Sequence, residues 1–330
     1  MENTAKRSVI CTILFLLAVL LFTGCSMKKT ETPADSSAYQ VTDAFGHTVT
    51  LPHKPRRILG TSSSIDTMLL GVVEPDRLVA CFTADKDPAI SYISEETKNI
   101  SLTMPLNGLS MEILTQAAPD LIVASSYTKP KELELWRNLG YPVIQIDGPK
   151  SLDQVKQDIE IIAAAAGEKE RGEKVIAEMD RQLAEIDAVL GQRTDKIPKA
   201  FLVTQMSRYG GPGSMYHELL TRARIRNAIG EAGVSNGQLL AQELVVKSDP
   251  DFFIVSSDRN SDETGAGKFR NEFFQNPAVQ NMRAAKNIKT LDDRYIYAAS
   301  QNCVYAIKAM ANAAYGPLFD MTEEKQIKGY

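Results

Sequence analysis

The stretch EILTQAAPDLIVASS at 112–126 is matched further along the chain by ELVVKSDPDFFIVSS at 243–257. Aligned without a gap, the two segments share Glu112/Glu243, Pro119/Pro250, Asp120/Asp251, Ser125/Ser256 and Ser126/Ser257. Each segment is typical of a helix end, a Pro-Asp turn and a strand. Because the residue before a proline avoids the α region, we expect the two helices to stop at Ala118 and Asp249. The sequence therefore predicts two similar lobes, each of which presents a Glu at an equivalent position.

The strand in each segment is a continuous apolar run, which is typical of a parallel strand that is covered on both faces. Further strands are predicted at 58–60, 78–81 and 143–146 on one side of the chain's midpoint, and at 200–204 and 288–291 on the other. Helical stretches lie between them. Alternating strands and helices indicate βαβ units. The predicted fold class is α/β, with two Rossmann-like lobes that each have a parallel central sheet.

A single long helix is predicted from Glu168 to Leu190. Its apolar residues form one narrow stripe, at Val175, Met179, Leu183, Ile186 and Leu190, and the remainder is largely charged. At ~1.5 Å per residue this helix would be ~35 Å long. A wide solvated face suits a strut between two lobes. We therefore divide the chain into an N-terminal lobe at 39–166, a linking helix at 167–194 and a C-terminal lobe at 195–330.

The N-terminus has the pattern of a secretion signal. Lys6 and Arg7 precede an apolar run that extends to Phe22, too short for a comfortable membrane span. The segment LFTGC, which ends at Cys25, resembles a bacterial lipoprotein signal box, although Phe22 stands where Leu is usual. We predict a signal peptide at 1–24, a lipidated Cys25 carrying acyl chains such as palmitate, and a flexible tether through residue 38. An ordinary signal peptide with an incidental cysteine is the alternative.

Composition and motif content disfavour several classes of protein. A net charge of −4 argues against nucleic-acid binding. His47, His53 and His217 lack the spacing of metal ligands, so we expect no bare-metal site. No GxSxG elbow or phosphate-binding loop is present, and we expect neither an enzyme nor a resident cofactor. Cys81 and Cys303 could pair, but buried free thiols are the simpler interpretation.

Several segments together resemble the substrate-binding proteins of bacterial importers for iron-siderophores, haem and cobalamin. The resemblance runs from about Val41 to Phe319, and the segments that carry it are VTDAFGHTVTLPHKPRRIL, NGLSMEILTQAAPDLIV, GPGSMYHELL, AQELVVKSDPDFFIV and AIKAMANAAYGPLF. It implies a monomer with a shallow ligand cleft between two lobes that one rigid helix joins. It also implies a partner, an ABC permease dimer with its ATPase, which Glu112 and Glu243 would contact. A helix dipole would explain either acid alone, but not their matching positions.

Candidate ligand-binding residues follow the strands, because the carboxyl ends of parallel strands face such clefts. Ser62 and Ser63 are candidates because hydroxyls at the start of a helix can bind an anion. The alternative is that they only cap the helix. Tyr127 and Tyr209 could pack on a macrocycle, hydrogen-bond a chelate or ligate iron. Arg208, Arg259 and Arg294 would pair with carboxylates of the ligand, or could be solvated surface charges.

The function that this sequence favours is an extracytoplasmic, lipid-anchored protein that captures a ferric siderophore for an ABC importer. A cobalamin or haem binder of the same class is the first alternative. A surface scaffold lipoprotein and a chelate-processing enzyme are the alternatives from other classes. The sequence leaves the ligand's identity open, and equally whether the host has an outer membrane.

Overall fold

The computed structural model describes residues 38–105, 108–239, 242–257 and 266–330. The predicted signal peptide, Cys25 and nearly all of the predicted tether lie outside the described residues, and so does Arg259. The strands are β1 (Tyr39–Thr42), β2 (Thr48–Leu51), β3 (Ile58–Gly60), β4 (Cys81–Phe82), β5 (Thr103–Met104), β6 (Leu121–Ser125), β7 (Val143–Ile146), β8 (Lys199–Val203), β9 (Arg226–Asn227), β10 (Phe252–Ser256) and β11 (Ile288–Leu291).

The helices follow the strands along the chain. They are α1 (Ser63–Val72), α2 (Ser94–Thr97), α3 (Met111–Ala117), α4 (Pro130–Asn138), α5 (Leu152–Ala166), α6 (Lys169–Gly191), α7 (Met215–Arg222), α8 (Ala228–Glu231), α9 (Gln242–Ser248), α10 (Ala266–Gln275), α11 (Pro277–Gln280), α12 (Asp293–Ile296) and α13 (Cys303–Tyr315). Helix α10 begins inside the stretch 258–268, where the sequence predicts a polar loop.

Two parallel sheets organise these elements. The first sheet has the strand order β3-β6-β7, and the second has the order β11-β10-β8-β9. Strand β4 pairs with β5, and one bridge from Ile58 to Leu78 continues the first sheet toward that pair. An antiparallel hairpin, β1-β2, precedes the first sheet. The predicted α/β class with parallel sheets is confirmed.

The sequence repeat is also a repeat in backbone structure. Ala118 and Asp249 both adopt left-handed conformations, with φ of 40° and 39°, and each ends its helix. The two residues do leave the α region, although a left-handed turn replaces the extended conformation expected before proline. From 112 to 119 and from 243 to 250, the order of exposed, intermediate and buried residues is identical.

The repeated Asp has a structural role in both copies. Backbone N–H groups of Arg56 and Arg57 donate to the Asp120 carboxylate at 2.8 Å, and the N–H of Lys199 donates to Asp251 at 2.9 Å. In each copy the carboxylate therefore accepts hydrogen bonds from backbone N–H groups at the start of the first strand of its sheet. A charge-assisted bond of this kind is stronger than a neutral one. The Asp of each Pro-Asp pair therefore stabilises the backbone at the start of a strand.

The long helix α6 connects the first sheet to the second along the chain. Its predicted apolar stripe is buried at every position, from Val175 to Leu190, and packs against α1, α5 and α13. Gly167, with φ of 71°, caps α5 and lets the chain turn into α6. Glu168 lies at this turn and is bound by Arg77 at 2.5 Å and Lys54 at 2.7 Å. The start of α6 is thus fixed to the first sheet's side of the molecule.

Apolar side chains alternate across the first sheet. In β6, Leu121 and Val123 belong to the larger hydrophobic cluster, while Ile122 and Ala124 belong to a second cluster that also contains Trp136. Both faces of this strand are buried, as its continuous apolar run predicts. The larger cluster continues through α1, α5, α6 and α13 to residues of the second sheet such as Phe253.

The C-terminal tail packs against α1. Gln326 Nε2 donates to the Thr67 carbonyl at 2.7 Å, and the N–H of Gly329 donates to the Gly71 carbonyl at 2.8 Å. Asn302, which precedes α13, donates to the side chain of Gln326. The last residues therefore connect the start of α13 to a helix that packs on the first sheet. Cys81 and Cys303 are buried free thiols.

Candidate ligand-binding cleft

A cavity of about 640 Å³ lies where strands of both sheets end. Its first side consists of residues that follow β3, β6 and β7. Its second side consists of residues that follow β8, the start of α7, and loop residues near α8 and α12. We call this cavity the cleft. It is lined by Ser62, Ser64, Ile65, Met68, Ser125, Tyr127, Ile146, Gly148, Pro149, Lys150, Gln205, Met206, Ser207, Arg208, Tyr209, Gly213, Ser214, Met215, Asn236, Gly237, Tyr297 and Ala299.

Tyr127 is the most exposed aromatic residue of the first side, with 75% of its surface accessible. Gly148, with φ of 79°, lies against it: a Cβ at this position would approach the Tyr127 ring to 2.9 Å. The glycine thus serves both a left-handed turn and the space that the ring occupies. Ser126, which precedes the tyrosine, donates to the carbonyl of Asp147. The loops after β6 and β7 are held together by these contacts.

On the second side, Tyr209 and Tyr297 form an aromatic pair with ring centroids 5.7 Å apart. The Tyr297 hydroxyl lies 2.9 Å from the Thr204 hydroxyl. Burial raises the pKa of Tyr209 far above its ordinary value, so this phenol keeps its proton at neutral pH. The Tyr209 hydroxyl donates to the carbonyl of Ile296 at 3.4 Å.

Arg208 and Lys150 are the cationic residues of the cleft. The Arg208 guanidinium donates to the carbonyl of Gly237 at 2.8 Å, and the Gly237 N–H donates back to the Arg208 carbonyl at 2.7 Å. Lys150 Nζ lies 3.6 Å from Asp147 Oδ2. The two cations come from opposite sides of the cleft.

Ser62 and Ser63 have different environments. Ser62 lines the cleft, and its hydroxyl accepts from the N–H of Ile65, so it also caps α1. Ser63 points away from the cleft and donates to the carboxyl of buried Asp85. The alternatives of ligand contact and N-capping are thus compatible for Ser62.

Arg294 lies beside a second, smaller depression of about 300 Å³, together with Ser63 and Tyr92. Its guanidinium lies 5.0 Å from the ring centroids of Tyr92 and Tyr295, and 3.7 Å from the Glu324 carboxylate. Aromatic faces and an acid therefore hold this arginine in place. The structure does not bring it to the cleft.

The predicted site residues thus fall into three groups. Ser62, Tyr127, Arg208 and Tyr209 line the cleft, Ser63 and Arg294 lie beside it, and Arg259 lies outside the described residues. The sequence analysis did not select Lys150, although the rule that found Tyr127 applies to it: Lys150 follows β7 by four positions. Met206 and Asn236 were also missed, since neither residue type carries a distinctive signal.

Glu112 and Glu243 lie on α3 and α9, and both side chains are exposed. Neither forms an ion pair among the residues that the structure describes. Within the same residues no group of three or more His, Cys, Asp or Glu side chains is arranged to hold a metal ion. No helix of the described part has both the length and the apolar character needed to cross a membrane.

The fold and the cleft define a two-sheet α/β protein with a cavity at the carboxyl ends of its parallel strands. The profile of the periplasmic binding protein family matches residues 58–295, and the chain belongs to that family.

Individual relatives are distant. The iron-uptake system-binding protein of Bacillus subtilis (strain 168) is 23% identical over 295 residues, which span 85% of this chain and 89% of the relative. The probable siderophore-binding lipoprotein YfiY of the same organism is 21% identical, and the match spans 58% of each protein. Among solved structures, the periplasmic heme-binding protein RhuT from Roseiflexus sp. RS-1 in apo form has a TM-score of 0.67 at 22% identity. That match covers 78% of this chain and 99% of RhuT.

Proposed function

We propose that this protein captures a ferric chelate outside the cytoplasm and delivers it to an ABC importer. The observation that carries the proposal is a cleft whose lining comes from the ends of both parallel sheets. Hydroxyls, phenols, two amides and two cations converge on a volume suited to a small molecule. The relatives' names, which refer to iron uptake and siderophore binding, support iron as the cargo.

Binding without chemistry fits the residues of the cleft. Its described lining has serine hydroxyls but no Asp, Glu, His or Cys, so no carboxylate or imidazole is present to activate them as nucleophiles. Asp66, which lies on α1, and Asp85 are nearby but fully buried. We therefore propose stoichiometric capture, and turnover of a chelate would contradict it.

Haem is a second candidate ligand, and the apolar part of the cleft favours it. Ile65, Met68 and Ile146 lie on the first side, and Met206 and Met215 lie on the second. These side chains could cover the faces of a flat macrocycle, and Tyr127 could pack at its edge. The RhuT structure of the same fold carries a heme-binding name.

The ligand class can be tested with the purified protein and three iron compounds. We would incubate it with an iron(III) catecholate chelate, an iron(III) hydroxamate chelate and haemin, then measure native mass and visible absorbance. A coloured one-to-one adduct with either chelate supports the proposal, and an adduct with haemin alone would favour the second candidate. Release of a modified ligand would instead indicate an enzyme. The absence of any adduct would contradict both binding functions.

The partner is proposed to be a two-fold symmetric permease with its ATPase. Support comes from Glu112 and Glu243, which are exposed at matching positions of an internal repeat with the same local burial. Two equivalent acids suit two equivalent basic sites. Exposed ion pairs contribute only ~0.2–1 kcal/mol each, so their main effect would be to orient docking and raise the encounter rate. Acyl chains on Cys25 would keep the protein near that partner.

A further inference from the structure

The charged side chains of the cleft are all of one sign. Lys150 enters from the first side after β7, and Arg208 enters from the second side after β8. The described lining contains no carboxylate to balance them. A ligand placed between these residues would therefore meet positive charge from two directions.

The charge of Arg208 is held in place without being neutralised. Its guanidinium donates to the carbonyl of Gly237, a neutral acceptor, and no acid of the described residues forms an ion pair with it. The mutual bonds between Arg208 and Gly237 fix the backbone from which the side chain extends. An oriented but uncompensated guanidinium is well suited to anionic oxygens of a ligand.

Lys150 has only a partial counter-charge. Its Nζ is 3.6 Å from Asp147 Oδ2, and the same oxygen accepts a shorter bond, 2.5 Å, from the Nε2 of Gln154. Roughly half of the lysine side chain is accessible. An exposed pair at this distance is weak, so Lys150 can turn from Asp147 to a bound anion.

The two acids behind the first side, Asp66 and Asp85, contribute at most one negative charge between them. The carboxyls of Asp66 and Asp85 are both fully buried, and burial, together with the other carboxyl, raises the pKa of Asp66. Two adjacent buried carboxyls hold at least one proton at neutral pH. Helices α1 and α7 add partial positive charge, since Ser64 and Met215 of their first turns line the cleft.

The same lining determines how iron could be held. The described lining has no carboxylate, imidazole or thiol, and its tyrosine phenols are its strongest donors for Fe³⁺, so a ligand with donor atoms of its own is needed to saturate the metal. A ligand that saturates Fe³⁺ with catecholate or carboxylate oxygens keeps surplus negative charge. A ligand with three hydroxamates balances the metal and is neutral.

We propose that Lys150 and Arg208 make this cleft selective for metal chelates of net negative charge over neutral ones. The inference rests on the proposed function, since it specifies the chelate that the same cleft would take. Lys150 and Arg208 would hold opposite ends of the anion, and the tyrosines and methionines would contact its organic rim.

The test compares iron(III) bound by three catecholates, of net charge −3, with iron(III) bound by a trihydroxamate, of net charge 0. Affinities are measured by quenching of protein fluorescence at low and high salt. We expect the anionic chelate to bind roughly tenfold tighter or more, with an advantage that shrinks as salt rises. Lys150→Gln and Arg208→Gln should each weaken the anionic chelate roughly tenfold and leave the neutral one within about twofold.

Lys174→Gln is the matched control, because Lys174 is an exposed residue of α6 that does not line the cleft. It should leave both affinities unchanged. Equal or tighter binding of the neutral chelate would overturn the inference while the proposed function stands. Unchanged anion affinity in both cleft variants, with normal thermal melting, would overturn it as well. If neither chelate binds, the proposed function fails, and the inference fails with it.

Discussion

Three aspartates of the protein interior, Asp66, Asp85 and Asp158, are almost inaccessible to solvent. Asp85 accepts from Ser63 and, at 2.9 Å, from the N–H of Phe82, so it is well placed to carry the negative charge of its pair with Asp66. Asp66 is well placed to carry the proton, since burial and Asp85 both raise its pKa. Each carboxyl thus has a distinct protonation role that its surroundings dictate.

Asp158, on α5, permits a quantitative prediction. Burial, with a smaller effect from the charge of Asp147, raises the pKa of Asp158 to about 7. Since an unfolded Asp titrates near ~3.9, the native state retains a proton between about pH 4 and 7 that the unfolded state has lost. Native stability therefore falls as pH rises through this window. Asp158→Asn should abolish this loss of stability. The variant should be more stable than the wild type by roughly 1–3 kcal/mol at pH 8, and nearly equal to it in stability near pH 4.

The measurement is urea denaturation at pH 4.5 and pH 8. Asp153→Asn is the matched control, because Asp153 lies on the same helix with an exposed side chain. It should change stability by a similar small amount at both pH values. If Asp158→Asn kept the wild-type dependence on pH, the assignment of a retained proton to Asp158 would be wrong.

Whether a residue lies at the cleft could be predicted where its place in an element defines its direction, and contact with a ligand stays a prediction. Ser62, Tyr127, Arg208 and Tyr209 follow strands, and all four line the cleft. Arg294 follows β11 in the same way, yet Tyr92, Tyr295 and Glu324 hold it elsewhere. Two of these three partners are far from Arg294 in sequence, so no local pattern could identify them.

Helices α5 and α6 come very close together at one point. A Cβ on Gly172 would lie 2.5 Å from the Cβ of Ala163, so the absence of a side chain permits the contact. Gly191, at the other end of α6, has no neighbouring atom within 4 Å of its would-be Cβ. The same residue type therefore serves packing at one end of the helix and has no packing role at the other.

Alanine substitutions at the two glycines should have effects of opposite sign. Gly172→Ala should destabilise the protein by about 1–3 kcal/mol, because the helices must move apart. Gly191→Ala should stabilise it by up to about 1 kcal/mol through better helix propensity. The midpoints of urea unfolding, at unchanged slope, measure both. Stabilisation by Gly172→Ala would show that the helices can separate without loss.

Elements with a long apolar run or a clear cap were predicted closely. Strands β3, β7 and β11 have the expected bounds, and the long helix α6 is displaced by one residue at each end. The short strand β4 was placed too early, because the stretch 78–82 is shared between one bridge to β3 and pairing with β5. The hydrogen bonds from the C-terminal tail to α1 were not predicted, because their acceptors are backbone carbonyls, which every residue has.

At the scale of the whole molecule, the two repeated acids make docking testable. Changing Glu112 and Glu243 together to Ala should abolish iron uptake by cells and leave ligand affinity unchanged, because both residues lie outside the cleft lining. Each single change should reduce uptake only in part. Uptake of radioactive iron by cells that depend on this protein measures the effect.

The matched control is the double change of Glu134 and Glu170 to Ala. These glutamates are also exposed, on α4 and α6, and their removal alters net charge equally. Uptake should stay near the wild-type level. Normal uptake by the Glu112/Glu243 variant would refute the docking role, and loss of ligand affinity would show that the acids act on the cleft.

The larger hydrophobic cluster, which extends without a break from β6 through α1, α5, α6 and α13 to β10, limits how the chain can be dissected. A gene cut within 192–198 would yield two fragments, each with a bare apolar face that the other normally shields. Produced separately, such fragments would aggregate. Produced in one cell, the two fragments would cover each other's apolar faces and reassemble without a covalent link.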